Sequence, residues 1–213
     1  MSMTDYRLYL ITDHHQTGGR PLTEVVRQAL EGGVTSVQLR EKEFSGAALY
    51  HLALELRSLT SLFGASLIIN DRVDIAVASG ADGVHVGINS MPVAAVRRTM
   101  GLGKIIGYSA HGIDEALQAQ ADGADFVTFG PVYPTPSKAA YGEPCGVKKL
   151  AETVSALNIP VIGLGGISSA AIAEIMSAGV AGVAVISAIL SAADPCAAAA
   201  NLLHKIEEHA QHS

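Results

Sequence analysis

The stretch Ser79-Gly80-Ala81-Asp82-Gly83-Val84-His85-Val86-Gly87 carries the reading of the fold. Gly80 falls where a helix should end with positive φ, and Gly83–Gly87 then reads as a short buried strand. The same corner recurs as Glu31-Gly32-Gly33-Val34, as Ala121-Asp122-Gly123-Ala124-Asp125-Phe126 and as Ser177-Ala178-Gly179-Val180-Ala181-Gly182-Val183. One αβ corner repeated along a chain implies repeated βα units.

Along the rest of the chain, eight strand candidates alternate with Ala- and Leu-rich helical segments. They are Arg7–Thr12, Ser36–Arg40, Ser66–Asn70, Gly83–Gly87, Lys104–Ala110, Phe126–Gly130, Pro160–Gly165 and Gly182–Ser187. Leu49, Leu52, Leu56 and Leu59 share one helical face, as do Ala199, Leu202, Leu203 and Ile206. Asp194-Pro195 reads as an N-cap followed by proline at the first helical position. The pattern admits a doubly wound sheet or a closed barrel, and the count of eight favours closure. The expectation is one α/β domain over residues 1–213, a (β/α)8 TIM barrel without linkers.

Composition agrees with one domain. Of 213 residues 49 % are hydrophobic but only 5 % aromatic, with no Trp, so Ala, Val, Ile and Leu must fill the core. A net charge of −6 with no basic stripe argues against a nucleic-acid-binding surface. Phosphate can still be bound by main-chain N–H groups and a few placed cations. Cys145 and Cys196 lie far apart with no CxxC spacing and read as free thiols in a reducing cytoplasm. The polar segment Met1–Arg7 lacks a signal-peptide core, and no apolar run is long enough for a membrane span. A cytoplasmic protein with no membrane partner is expected; whether copies of it associate is left open.

In such barrels the chemistry sits at the C-terminal strand ends. After strand 7, Gly165-Gly166 lets a ligand approach the backbone, Ser168-Ser169 should open the next helix, and Ser187 ends strand 8, together a phosphate site. Arg40 and Lys42 after strand 2 and Lys138 in the strand 6 loop suit a more highly charged group such as a diphosphate, unless Glu41 and Glu43 absorb them in surface ion pairs. Asn70-Asp71 offers an amide and a carboxylate for Mg2+, although Asp71 could instead cap the following helix. His111 can act as a general acid or base, or simply precede helix 5; His85 is a weaker candidate that also fits a hydrogen-bonded wall position. His14, His15, His204, His209 and His212 read as solvated.

At these positions the chain resembles the thiamine phosphate synthase and thiazole tautomerase superfamily. The resemblance rests on QLREK (Gln38–Lys42), NDRVDIA (Asn70–Ala76), ADGVHVG (Ala81–Gly87), GYSAH (Gly107–His111), GPVYPTPSK (Gly130–Lys138), GLGGI (Gly163–Ile167) and VISAI (Val185–Ile189), in order over nearly the whole barrel. It implies that Gln38, Arg40, Lys42, Asn70, Ser109 and Lys138 bind a hydroxymethylpyrimidine diphosphate. It further implies that Thr135, Ser137, Gly166, Ile186 and Ser187 hold a thiazole phosphate, and that Asp71 is one of two Mg2+ ligands. The implied reaction is dissociative: diphosphate leaves, and the thiazole nitrogen captures the pyrimidine cation. Two features depart from the family pattern. Ser90 stands where the second carboxylate is expected, and the loop reads PTPSK where PTxTK is usual. Loss of a carboxylate is shared with the tautomerase branch, whereas Lys42, Asn70, Asp71 and Lys138 favour the synthase. A tautomerase, or a non-catalytic regulator that binds thiazole phosphate, are the alternatives.

Overall fold

The computed structural model describes residues 4–135 and 143–211. Its strands are β1 (Leu8–Ile11), β2 (Ser36–Leu39), β3 (Ser66–Asn70), β4 (Gly83–Val86), β5 (Ile105–Ala110), β6 (Phe126–Phe129), β7 (Val161–Leu164) and β8 (Gly182–Val185). All pair in parallel with their sequence neighbours, and β8 pairs with β1, so the sheet closes into the expected barrel. The surrounding helices are α1 (Leu22–Glu31), α2 (Gly46–Phe63), α3 (Val73–Ala78), α4 (Val93–Met100), α5 (Ile113–Ala121), α6 (Gly146–Ala156), α7 (Ile172–Met176), α8 (Ser187–Leu190) and α9 (Pro195–Gln211).

The repeated corner has a physical basis beyond its glycine. Gly80, Gly123 and Gly179 take φ of 68°, 99° and 80°, where a side chain would be strained. Asp82 then donates its main-chain N–H to Leu67 O (2.9 Å) and accepts the Leu67 N–H on Oδ2 (2.7 Å). Asp125 does the same with Ile106, at 2.8 and 2.7 Å. Arg57 and Arg97 neutralise the two carboxylates. Each Ala-Asp pair thus splices a helix exit onto the neighbouring strand.

Strand alternation separates two cores. Leu8, Leu10, Val37, Leu39, Leu67 and Ile69 face the helices, whereas Tyr9, Ile11, Ile68, Phe126, Ile162 and Ala184 fill the barrel. Fully burying a branched aliphatic or Phe side chain contributes roughly 1.5–3 kcal/mol, so both layers specify the register. On α2 the buried stripe is Leu49, Ala53, Leu56 and Thr60, with Leu52 and Leu59 at its margins, because a true 3.6-residue period drifts off the leucine spacing. On α9, Ala199, Leu202 and Ile206 are buried as expected, and Asp194 Oδ1 caps the Ala197 N–H at 2.9 Å.

Candidate active site

The inward parity of the strands turns from apolar to polar toward their C-terminal ends. The pairs Asn70↔His85, His85↔Gly107 and Ser109↔Thr128 place these side chains on that parity, as does Gln38 opposite Ile68. Gln38 Nε2 donates to Tyr9 Oη at 3.1 Å. Tyr9 is fully buried, which pushes its phenol well above the ordinary tyrosine range and keeps it a neutral partner. His85 is 2 % exposed, with Nε2 2.9 Å from Ser109 Oγ; Ser109 in turn lies 3.2 Å from Thr128 Oγ1. His85 is therefore the hydrogen-bonded wall residue allowed by the sequence, and the wall it forms orients Ser109. Tyr9 and Thr128 escaped the sequence reading because each lies inside an apolar strand run, where only inward parity sets it apart.

Beyond β2 the chain delivers the cations. The Arg40 main-chain N–H is anchored on Thr12 Oγ1 at 2.9 Å. Arg40 is half-buried and Lys42 exposed, and among the described residues neither pairs with a carboxylate. The alternative of ion pairs with Glu41 and Glu43 is not realised among the described residues. Glu41 turns inward and bonds His14 Nδ1 at 2.7 Å, while Glu43 lies 3.3 Å from His15 Nε2. This also corrects the reading of His14 and His15 as simply solvated: the turn after β1, His14–Gln16, carries both imidazoles to the β2–α2 loop. His204 is exposed, as expected, and His212 lies outside the described residues.

Asp71 follows β3 with φ of 60°, the one non-glycine residue with positive φ among those described. Aspartate tolerates this region better than most residues, yet such a conformation costs about 1 kcal/mol or more and tends to mark sites of function. Its N–H is held by His85 O at 2.9 Å, and Asn70 Nδ2 donates to Asp71 Oδ2 at 2.9 Å. Ser90 Oγ accepts the Gly87 N–H at 2.8 Å and donates to Asp71 Oδ1. The residue that flanks α3 is Arg72, without a side-chain cap, so Asp71 is not the N-cap considered as its alternative role. Exposed, with the Asn70 amide donating to one oxygen and the Ser90 hydroxyl to the other, its carboxylate and that hydroxyl are oxygen groups of the kind Mg2+ takes.

The opposite side of the mouth holds a cavity of about 510 Å3. Its lining includes Thr135, Gly166, Ile186 and Ser187 from the expected set, with Ser168 and Asn201 as additional polar groups. The β6 loop runs along β7: Val132 N–H donates to Leu164 O (2.9 Å) and Tyr133 N–H to Gly165 O (3.0 Å). A Cβ on Gly166, where φ is 68°, would lie 2.8 Å from Pro134 O. Close approach of the β6 loop, rather than of a ligand, is what requires glycine there. The loop base is closed by Cys145 N–H to Pro131 O (2.8 Å) and Gly146 N–H to Val132 O (3.1 Å). Ser137 and Lys138 lie outside the described residues. Ser168 opens a turn, not a helix; α7 begins at Ile172, because Ala171 N–H closes that turn on Ser168 O at 3.0 Å. Helix α8 begins at Ser187, and its ladder starts with the Ile189 and Leu190 N–H groups on Ile186 O (3.2 and 2.9 Å), which leaves the Ser187 and Ala188 N–H groups ahead of the first intrahelical bond.

His111 stands between the two halves. Its Nδ1 is 2.7 Å from Gly130 O, and its main-chain N–H is held by Glu115 Oε2 at 2.8 Å. A carbonyl only accepts, so Nδ1 carries the hydrogen and Nε2 is the basic nitrogen of the neutral ring. The Tyr108 hydroxyl donates to the other Glu115 oxygen at 2.9 Å, and burial together with that carboxylate pushes the phenol upward.

Fold and site together define a (β/α)8 barrel whose mouth carries cations and a carboxylate on one side and a cavity on the other. Comparison with known proteins gives the family. Residues 8–189 match the model of the thiamine monophosphate synthase family, and the chain belongs to that family. It is 58 % identical over 195 residues to a putative thiamine-phosphate synthase of Geobacter sulfurreducens, covering 92 % of each chain. It is 48 % identical to the thiamine-phosphate synthase of Desulfitobacterium hafniense, over 93 % of this chain and 96 % of that one. The solved thiamine phosphate pyrophosphorylase from Pyrococcus furiosus superposes with a TM-score of 0.90 at 37 % identity, over 97 % of this chain and 98 % of that one.

Proposed function

We propose that the protein joins a hydroxymethylpyrimidine diphosphate to a thiazole phosphate, releasing diphosphate and forming thiamine phosphate. The observation that carries this reading is the divided mouth: Arg40 and Lys42, paired with no carboxylate among the described residues, follow β2 and Asp71 follows the adjacent β3, while the cavity lined by Ser187 lies on the other side. Two phosphorylated substrates need two such places, and family membership gives the substrates their names.

In this reading Arg40, Lys42 and Lys138 bind the diphosphate, with Asn70 beside them. Gln38 and Ser109, fixed by Tyr9 and His85, orient the pyrimidine. Thr135, Ser137, Gly166, Ile186 and Ser187 hold the thiazole phosphate at the start of α8. Asp71 would hold Mg2+, assisted by the Ser90 hydroxyl; the ion, when bound, supplies positive charge to the diphosphate. The bond between the pyrimidine methylene carbon and the diphosphate oxygen breaks with its electron pair on oxygen. The thiazole nitrogen then gives its lone pair to the cationic carbon. No proton need move at the reacting atoms, so charge stabilisation and alignment carry the catalysis. His111, bound to Gly130 O, positions the start of the β6 loop instead of relaying a proton.

The test is direct. The protein is incubated with both substrates and Mg2+, and separately with the thiazole carboxylate phosphate that a tautomerase would isomerise. Thiamine phosphate in the first mixture supports the reading; isomerisation alone overturns it.

A further inference from the structure

Outside this machinery, Asp13, His14 and His15 bring their ligand atoms within 4.8 Å of one another on the loop after β1. We propose that these three residues form a binding site for a late first-row divalent cation, Zn2+ above all, at the rim of the barrel mouth.

Three observations support it. First, the imidazoles are oriented from behind by glutamates of the β2–α2 loop: His14 Nδ1 lies 2.7 Å from Glu41 Oε2, and His15 Nε2 lies 3.3 Å from Glu43 Oε2. Glu41 Oε2 also accepts the His14 main-chain N–H at 3.2 Å, so it is an acceptor and the ring nitrogen facing it is a donor. That fixes His14 in the tautomer whose Nε2 lone pair points away, the carboxylate–histidine arrangement that raises the basicity of a metal-binding imidazole. Second, the Glu41 side chain is 1 % exposed, and its Oε1 is buried without a hydrogen-bond partner among the described residues. A buried carboxylate facing one imidazole is undercompensated, and a cation on the far side of that ring supplies the missing positive charge. Third, Asp13 Oδ1 accepts the His15 N–H at 3.1 Å, which fixes the carboxylate in the turn that carries the two rings.

Two imidazoles and one carboxylate form a mixed N/O set that selects Zn2+ and its neighbours over Mg2+. Asp71 has the opposite preference, with the Ser90 hydroxyl oxygen beside its carboxylate. The two places therefore take different cations. A cation at the rim would tie the β1 loop to the loop that carries Arg40 and Lys42, with water completing its shell.

Titration calorimetry with Zn2+, and the visible absorption of Co2+ as its substitute, tests this on the full chain in excess Mg2+. The expected result is one equivalent bound, with affinity at least tenfold weaker in His14→Asn and in Asp13→Asn. Loss of the carboxylate behind the ring, in Glu41→Gln, should weaken binding by about 10- to 100-fold. Should Glu41→Gln fail to fold, the half-exposed His14→Asn still decides. Zn2+ affinity unchanged in folded His14→Asn, or displacement of Zn2+ by Mg2+, would overturn the proposal.

Discussion

Ser90 Oγ donates to Asp71 Oδ1 while accepting the Gly87 N–H, so the hydroxyl occupies the place from which a second carboxylate would share a cation with Asp71. In Ser90→Asp two carboxylates would face each other there. Without Mg2+ they repel; with it they chelate. The half-saturating Mg2+ concentration of the synthase reaction should therefore fall, by about tenfold if the new ligand contributes about 1.4 kcal/mol. Initial rates over a Mg2+ series in the two proteins measure it.

Gly166 is pressed against the β6 loop, and its positive φ adds strain to any side chain. In Gly166→Ala the loop carrying Thr135 must move from the cavity. Binding of thiazole phosphate should weaken at least tenfold, or about 1.4 kcal/mol, while the exposed position leaves the fold intact. Calorimetry on the folded variant gives the answer, and unchanged affinity would mean that the loop and the phosphate do not meet.

The role of His111 separates two kinds of chemistry. General acid–base catalysis typically contributes 10²- to 10⁴-fold, roughly 3–5 kcal/mol. If His111 only holds the Gly130 carbonyl and the loop behind it, His111→Asn should lower kcat by less than about 10²-fold, since an amide can still donate there. Steady-state kinetics with both substrates measures this. A larger loss accompanied by a changed pH profile would assign a proton to His111.

Packing inside the barrel gives a stability prediction. A Cβ on Gly107 would lie 2.3 Å from Phe126 Cζ and 2.4 Å from His85 Nδ1. Gly107→Ala should destabilise the protein by about 1–3 kcal/mol through overpacking. It should also lower kcat/KM, because His85 orients Ser109. Urea unfolding and kinetics on the same sample report both effects.

The barrel was legible because its signals are local and repeated: a glycine corner, a short β-branched run, a helical stripe. Ser79–Gly87 contains the whole unit once, and the Asp82 and Asp125 splices explain the aspartate in two of its four copies. The strand-end residues were legible for the same reason, since fold alone assigns them to the mouth. Thr135, Gly166, Ile186 and Ser187 do line one cavity. What stayed hidden was pairing across sequence distance. Glu41 looked like a surface partner for Arg40 and Lys42, yet it is buried against His14, 27 residues earlier in the chain. Tyr9 looked like one more apolar strand residue, yet its hydroxyl holds Gln38. Likewise the sequence left open whether Asp71 caps the next helix, and only its left-handed backbone places it between Asn70 and Ser90.

In the proposed function, Asp71 with Arg40 and Lys42 makes one side of the mouth a cation-assisted diphosphate site serving thiamine phosphate formation. The most direct measurement is the Mg2+ dependence of thiamine phosphate formation in the wild type and in Asp71→Ala. The predicted result is Mg2+-dependent product from the wild type, with kcat/KM lower by about 10²-fold or more in Asp71→Ala, a loss of roughly 2.7 kcal/mol of transition-state stabilisation. Full activity in Asp71→Ala, or no thiamine phosphate from the wild type at any Mg2+ concentration, would contradict it.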